Sequence, residues 1–293
     1  MRLATVQSST GRHVIAQRDA TQPAHDITAL AQGDIKHVLP LDLAGLNLVR
    51  YPVVDLGSFT WLPPVPEPRR IICIGLNYRT HAAEVRKDAT KWPTVFTRFP
   101  STFVGHEAAL LRPDISDTLD WEGEVVVVIG RGGRRIHAEH ALDHIAGYSI
   151  MGENSVREFQ LHTAQAAPGK NWDSSGSWGP WIVSPDAFQA PPEVITRLNG
   201  VEKQRGNLGD LVFDVPTLIE YVSTWTALEP GDVIATGTPA GIGHRESPPR
   251  YLQPGDELTI ELAGQFTLTN PVVNEPSDLA AHPNTRQSEE ALR

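Results

Sequence analysis

Apolar residues in this chain fall in short runs broken by turn formers, a pattern that predicts strands more than long helices. Near the N-terminus RLATVQ and HVIAQ read as strands. IICIGL (71–76), TVFTRF, EGEVVVVIG and GYSIMG read as further strands, followed by VITRLNG, DVIATGT and DELTIEL. LEPGD (228–232) and LQPGD (252–256) are Pro-Gly turns placed before strands. Helical spacing shows in THAAEVRK (80–87), HAEHALDHI and VPTLIEYVSTWT (215–226), the last with Leu218, Ile219, Val222 and Trp225 on one side, and weakly in one stretch of the first 60 residues. Strand and helix do not alternate strictly, so the expected class is α+β, mainly β, and not a doubly wound sheet. Four prolines in LPPVPEPRR (62–70) predict a stiff linker. It separates a small N-terminal α+β domain (1–65) from a main domain (66–275), with a polar, fraying tail (276–293).

The most apolar run, VVVVIG, is entered through LDWEGE. Side chains at i and i+2 of a strand share a face, so Glu122 and Glu124 project together while Trp121, Gly123 and Val125 turn the other way. Adjacent carboxylates repel unless they share a proton or a cation lies between them, and a hard divalent ion suits oxygen donors. A strand end in water, carrying two solvated acids, accounts for the same spacing. His81 and Glu84 are one helical turn apart, as a carboxylate-oriented imidazole or as a surface pair. Glu153 ends a strand-like run, Lys170 lies in a Gly/Ser-rich loop, and Thr236 and Thr238 enter a Gly-rich turn.

Composition narrows the partners. With 25 basic against 35 acidic residues among 293, the net charge of -10 repels polyanions, so nucleic acid is not an expected partner. A small anionic substrate stays compatible, because a metal or a few cations can dominate one pocket. Cys73 is the only cysteine, which rules out an intramolecular disulfide and reads as a buried small hydrophobe. No apolar stretch reaches the roughly 18 residues of a membrane span, so a soluble, cytoplasmic protein is expected. His137, His140 and His144 recur at helical spacing, either as a zinc face or as solvated imidazoles. Neither GRGG nor GTPAGIG matches a phosphate-binding fingerprint, and SSGSWG lacks the spacing of a nucleophile elbow.

Eight segments taken in order carry a resemblance: IGLNYRTHAAEV, PTVFTRFPSTFVG, LDWEGEVVVVIG, GYSIMGENSVREFQ, GKNWDSSGSWGPW, TRLNG, GDVIATGTPAGIG and PPRYLQPGDELTIEL. Across residues 70–273 the chain resembles the fumarylacetoacetate hydrolase superfamily. The resemblance implies a mixed β-sandwich roll with a small N-terminal domain, and a homodimer. It implies Glu122, Glu124 and Glu153 as ligands of Mg²⁺, with Mn²⁺ or Ca²⁺ as alternatives. His81 and Glu84 match the dyad that activates water, and Lys170 the lysine that meets developing negative charge. Gln160 and Thr238 match substrate contacts, and Arg98 is the expected anchor for a substrate carboxylate. Relatives usually carry Asn-Asp where this chain has Gly152 and Glu153, one methylene longer at the third ligand. The implied activity is divalent-metal-dependent hydrolysis of a carbon–carbon bond in a 1,3-diketo, acylpyruvate-like acid. Decarboxylation, hydration or tautomerisation of a 2-oxo acid on the same metal site is the first alternative, and a non-catalytic binding protein the second.

Overall fold

The computed structural model describes residues 1–84 and 91–276, and of residues 82–84 the backbone alone. A thirteen-stranded mixed sheet forms the frame. Its central strands run in the order Arg2–Ser8, Ile182–Val183, Ile145–Gly152, Gly123–Ile129, Val233–Ala235, Ile71–Gly75 and Thr94–Thr97. The pairs are antiparallel except Val233–Ala235 with Ile71–Gly75, and Gly176–Trp178 with Phe103–Val104. A second sheet of five strands includes Glu193–Leu198, Val201–Asn207 and Glu257–Leu262.

The valine strand Gly123–Ile129 lies inside the larger sheet and is buried on both faces, as a continuous apolar run requires. Trp121, Val125, Val127 and Ile129 enter the core shared with the second sheet, alongside Leu198, Leu258 and Ile260. Val126 and Val128 enter a second core with Val14, Ile27, Cys73 and Val233. The two-residue period expected from the sequence is therefore kept from Trp121 onward. The N-terminal unit is tied to this frame: Arg2 and Leu3 pair with Val183 and Ile182, and its apolar residues share the second core with Ile71 and Cys73.

Two helical expectations change in detail. The segment HAEHALDHI forms a 3-10 helix over Ala138–His144. The helix Val215–Trp225 is capped by Asp214, whose side chain accepts the Thr217 N–H, and it buries Leu218, Ile219 and Val222 as expected. Trp225, placed on the same side from sequence, is 49% exposed instead. It is the last helical residue, where the buried stripe runs out.

Candidate metal centre and active site

Pairing brings the third acid to the first two. Gly123 faces Gly152 in the antiparallel ladder, and Glu153 N–H donates to the Glu122 carbonyl at 2.8 Å. Glu153 is therefore directly opposite Glu122, with Glu124 two residues along on the same face. Oxygens of the three buried carboxylates lie within 4.8 Å of one another. The backbone between the two strand acids is pinned on both sides. Gly123 N–H donates to Gln204 Oε1 at 2.9 Å, and its carbonyl accepts Thr238 Oγ1 at 3.0 Å. Gln204 Nε2 in turn donates to Thr238 Oγ1 at 2.8 Å.

Three cations answer this charge. Lys170, at the end of the short helix Ala167–Lys170, is fully buried and directs Nζ to Glu122 Oε1 (3.0 Å), the Glu153 carbonyl (2.9 Å) and Glu153 Oε2. Arg157 reaches Glu122 Oε1 at 2.8 Å, and Arg98 reaches Glu153 Oε1 at 3.1 Å. Glu124 accepts the Gly237 N–H at 2.9 Å and pairs with no cation among the described residues.

These surroundings divide the acids. Burial resists ionisation of Glu122, but Lys170 and Arg157, helped by the Ser155 hydroxyl, carry its pKa down to about 2. Burial, with Glu153 and Glu122 as like-charged neighbours, holds the Glu124 carboxyl well above the usual range. Burial also raises Glu153, against Lys170 and Arg98. Burial disfavours the Lys170 ammonium, yet Glu122 and Glu153 raise its pKa, so it stays charged. Converging oxygen donors, one of them without a cation, fit a hard divalent ion, and Glu122, Glu124 and Glu153 are the residues that would hold it.

Of the other expected residues, Thr238, Gln160 and Arg98 stand around this cluster. His81 is buried on the helix Arg79–Glu84, and the Glu84 side chain lies outside the described residues. Thr238 is buried against Gly123 and Gln204. Gln160 accepts from Arg157 Nη1 at 2.9 Å. Arg98, expected as an anchor for a substrate carboxylate, is placed against Glu153. Its guanidinium is committed to Thr102 Oγ1, Glu153, the Asn154 carbonyl and Ser175 Oγ, over the ring of Phe103, with a side chain 0% exposed. Four of its five N–H donors are so used, and it neutralises Glu153. His137 and His140 are solvated and His144 turns to the Arg131 carbonyl, so the three imidazoles do not converge.

Sequence reasoning missed Asp120, Arg157 and Gln204. Asp120 had a signal, since it precedes Glu122 by two and belongs to the same alternating acidic series. Arg157 lay unremarked within GENSVREFQ. Gln204 had no local signal, because it arrives from the other sheet. A cavity of about 650 Å³ lies apart from this cluster, lined by Met1, Arg18, Leu41 and Arg131 among others, and includes none of Glu122, Glu124, Glu153, Lys170, Arg98 or Arg157.

Among known proteins, the model of the fumarylacetoacetate hydrolase C-terminal family matches residues 70–273. The oxaloacetate tautomerase YisK of Bacillus subtilis is 38% identical over 267 residues, covering 86% of this chain and 87% of that protein. A fumarylacetoacetate hydrolase from Exiguobacterium antarcticum superposes with a TM-score of 0.84 at 34% identity, over 94% of this chain and 100% of the other. A maleylpyruvate hydrolase from Sphingobium sp. SYK-6, solved with manganese(II) and pyruvate, gives 0.76 at 26% identity over the same shares. The buried carboxylate cluster thus stands in a chain that belongs to the fumarylacetoacetate hydrolase family, whose members include hydrolases, isomerases and tautomerases.

Proposed function

We propose that this protein is a divalent-metal-dependent enzyme that acts on 2-oxo acids by stabilising an enolate, with keto–enol tautomerisation of a 2-oxo dicarboxylate such as oxaloacetate as its reaction. The observation that carries this reading is the cluster of Glu122, Glu124 and Glu153 with the Lys170 ammonium in hydrogen-bond contact. The choice of tautomerisation is supported by 38% identity to an oxaloacetate tautomerase over most of both chains.

The ion, when bound, supplies Lewis-acid polarisation of the substrate's oxygens. The remaining roles fall to the chain. Lys170 keeps its proton and sets a fixed positive charge where negative charge develops as a proton leaves the carbon beside the carbonyl. Arg98 and Arg157 hold Glu153 and Glu122 in place, which keeps the donor oxygens oriented before substrate arrives. His81 is the residue assigned to move the proton between carbon and oxygen. The ring of Phe96, its centroid 5.2 Å from Lys170 Nζ, forms an apolar wall that strengthens this charge.

Hydrolysis of an acylpyruvate is the second reading. It is favoured by the manganese- and pyruvate-bound hydrolase neighbour, and it needs His81 and Glu84 to activate water. Mg²⁺ or Mn²⁺ as the ion, a small anionic 2-oxo acid as substrate and a homodimer belong to the same proposal. The test follows the enol absorbance of oxaloacetate with chelator-treated protein, with and without Mn²⁺, and identifies products from an acylpyruvate panel. Tautomerisation predicts metal-dependent loss of the enol band with no carbon–carbon cleavage. Cleavage products from the acylpyruvates would select hydrolysis, and inertness toward both substrate sets would contradict the proposal.

A further inference from the structure

Asp120 closes the two-residue strand Leu119–Asp120, is fully buried, and touches neither the cluster of carboxylates nor Lys170 by any hydrogen bond in the structure. Its two oxygens have different work. Oδ1 accepts the backbone N–H of Trp121 (2.9 Å) and of Gly243 (2.8 Å). Oδ2 accepts the His244 N–H (3.0 Å) and the Arg157 Nε–H (2.8 Å), and stands in ion-pair contact at 2.8 Å with Nη2, which makes no hydrogen bond among the described residues. The same guanidinium then directs Nη1 to Glu122 Oε1 at 2.8 Å and to Gln160 Oε1 at 2.9 Å. One carboxylate therefore fixes a planar, five-donor fork from behind, and the fork's far edge fixes a metal-ligating oxygen and the side chain of Gln160.

We infer that Asp120 is a positioning residue for the metal centre: it acts through Arg157, setting the orientation of Glu122 while anchoring the Gly243–His244 end of the loop that follows Thr238. A residue that only closed a turn would need just the backbone donors. Asp120 gives Oδ2 to Arg157 as well, and burying that guanidinium requires a counter-charge. Without it, Arg157 would be drawn wholly onto Glu122, competing with an ion for the same oxygen. The inference rests on the proposed metal site.

The test is a double-mutant cycle on Mn²⁺ affinity, read from the loss of the free-ion paramagnetic resonance signal, at temperatures where each variant is folded. Wild type, Asp120→Asn, Arg157→Lys and the double variant are compared. Arg157→Lys keeps a cation beside Glu122 but removes the fork. Asp120→Asn is expected to weaken Mn²⁺ binding about tenfold or more in the wild-type background. In the Arg157→Lys background it is expected to add little. Unchanged affinity in Asp120→Asn, or the same weakening in both backgrounds, overturns the inference. Asp120→Ser, which keeps an acceptor for the turn, replaces Asp120→Asn if that variant does not fold. Failure of the wild type to bind Mn²⁺ would remove the proposed function along with this inference, whereas a binding wild type and an equally binding Asp120 variant would remove this inference alone.

Discussion

Gly123 shows how one residue serves the site by lacking a side chain. A Cβ there would lie 2.0 Å from Thr196 Oγ1 and 3.4 Å from Ile260 Cγ2, both in the second sheet. Its N–H and carbonyl are taken by Gln204 and Thr238, so the backbone cannot retreat without disturbing Glu122 and Glu124. Gly123→Ala is therefore expected to lower stability by about 1–3 kcal/mol, the usual cost of overpacking, measured as a drop in the urea midpoint. An unchanged midpoint would mean that Thr196 turns aside freely. Residue by residue, the shared face of Glu122 and Glu124 was legible because a two-residue period alone sets which side chains project together. The role of Arg98 was not, because a cation's partner depends on strands far away in sequence. Nothing in TVFTRF announces that Glu153 will stand beside it.

At the scale of elements, the strand Ile71–Gly75 pairs with Val233–Ala235 and delivers Cys73 into the core beneath the carboxylates. Burial first, then the nearby Glu153 and Glu124, push the Cys73 thiol well above its ordinary pKa. The native protein is expected to give no thiol reaction with a disulfide reagent near neutral pH, and to show its single thiol only on denaturation. Rapid reaction in the folded state would contradict this packing. The long apolar runs were readable as strands because both of their faces are buried, so every residue in them is apolar. The segment HAEHALDHI misled because spacing of three and four suits both α and 3-10 turns, and seven residues do not separate them. Gln204 was invisible for a different reason: sheet-on-sheet packing, which no local pattern encodes, brings it to Gly123.

Across the whole molecule, stability and ion binding are linked through the same carboxylates. In the metal-free protein Glu124 and Glu153 hold protons to higher pH than in the unfolded chain. Their contribution is thus fully present below the unfolded pKa and is lost as pH rises through the raised folded values. Glu122, with its pKa near 2, is already ionised across that window. A divalent ion competes with the protons on Glu124 and Glu153, so its binding strengthens as pH rises. The rise in melting temperature produced by Mg²⁺ is expected to be larger at about pH 7.5 than at about pH 5.5. An ion-induced rise that is equal at both, or larger at the lower pH, would show that these acids do not take the ion.

The most direct measurement is a calorimetric titration of chelator-treated protein with Mn²⁺, wild type against Glu124→Ala. The proposed metal centre predicts one ion bound per chain in the wild type and no measurable binding in the variant, because Glu124 is the proposed ligand that pairs with no cation among the described residues. A wild type that binds no Mn²⁺, or a Glu124→Ala protein that binds it as tightly, would contradict the metal centre on which the account stands.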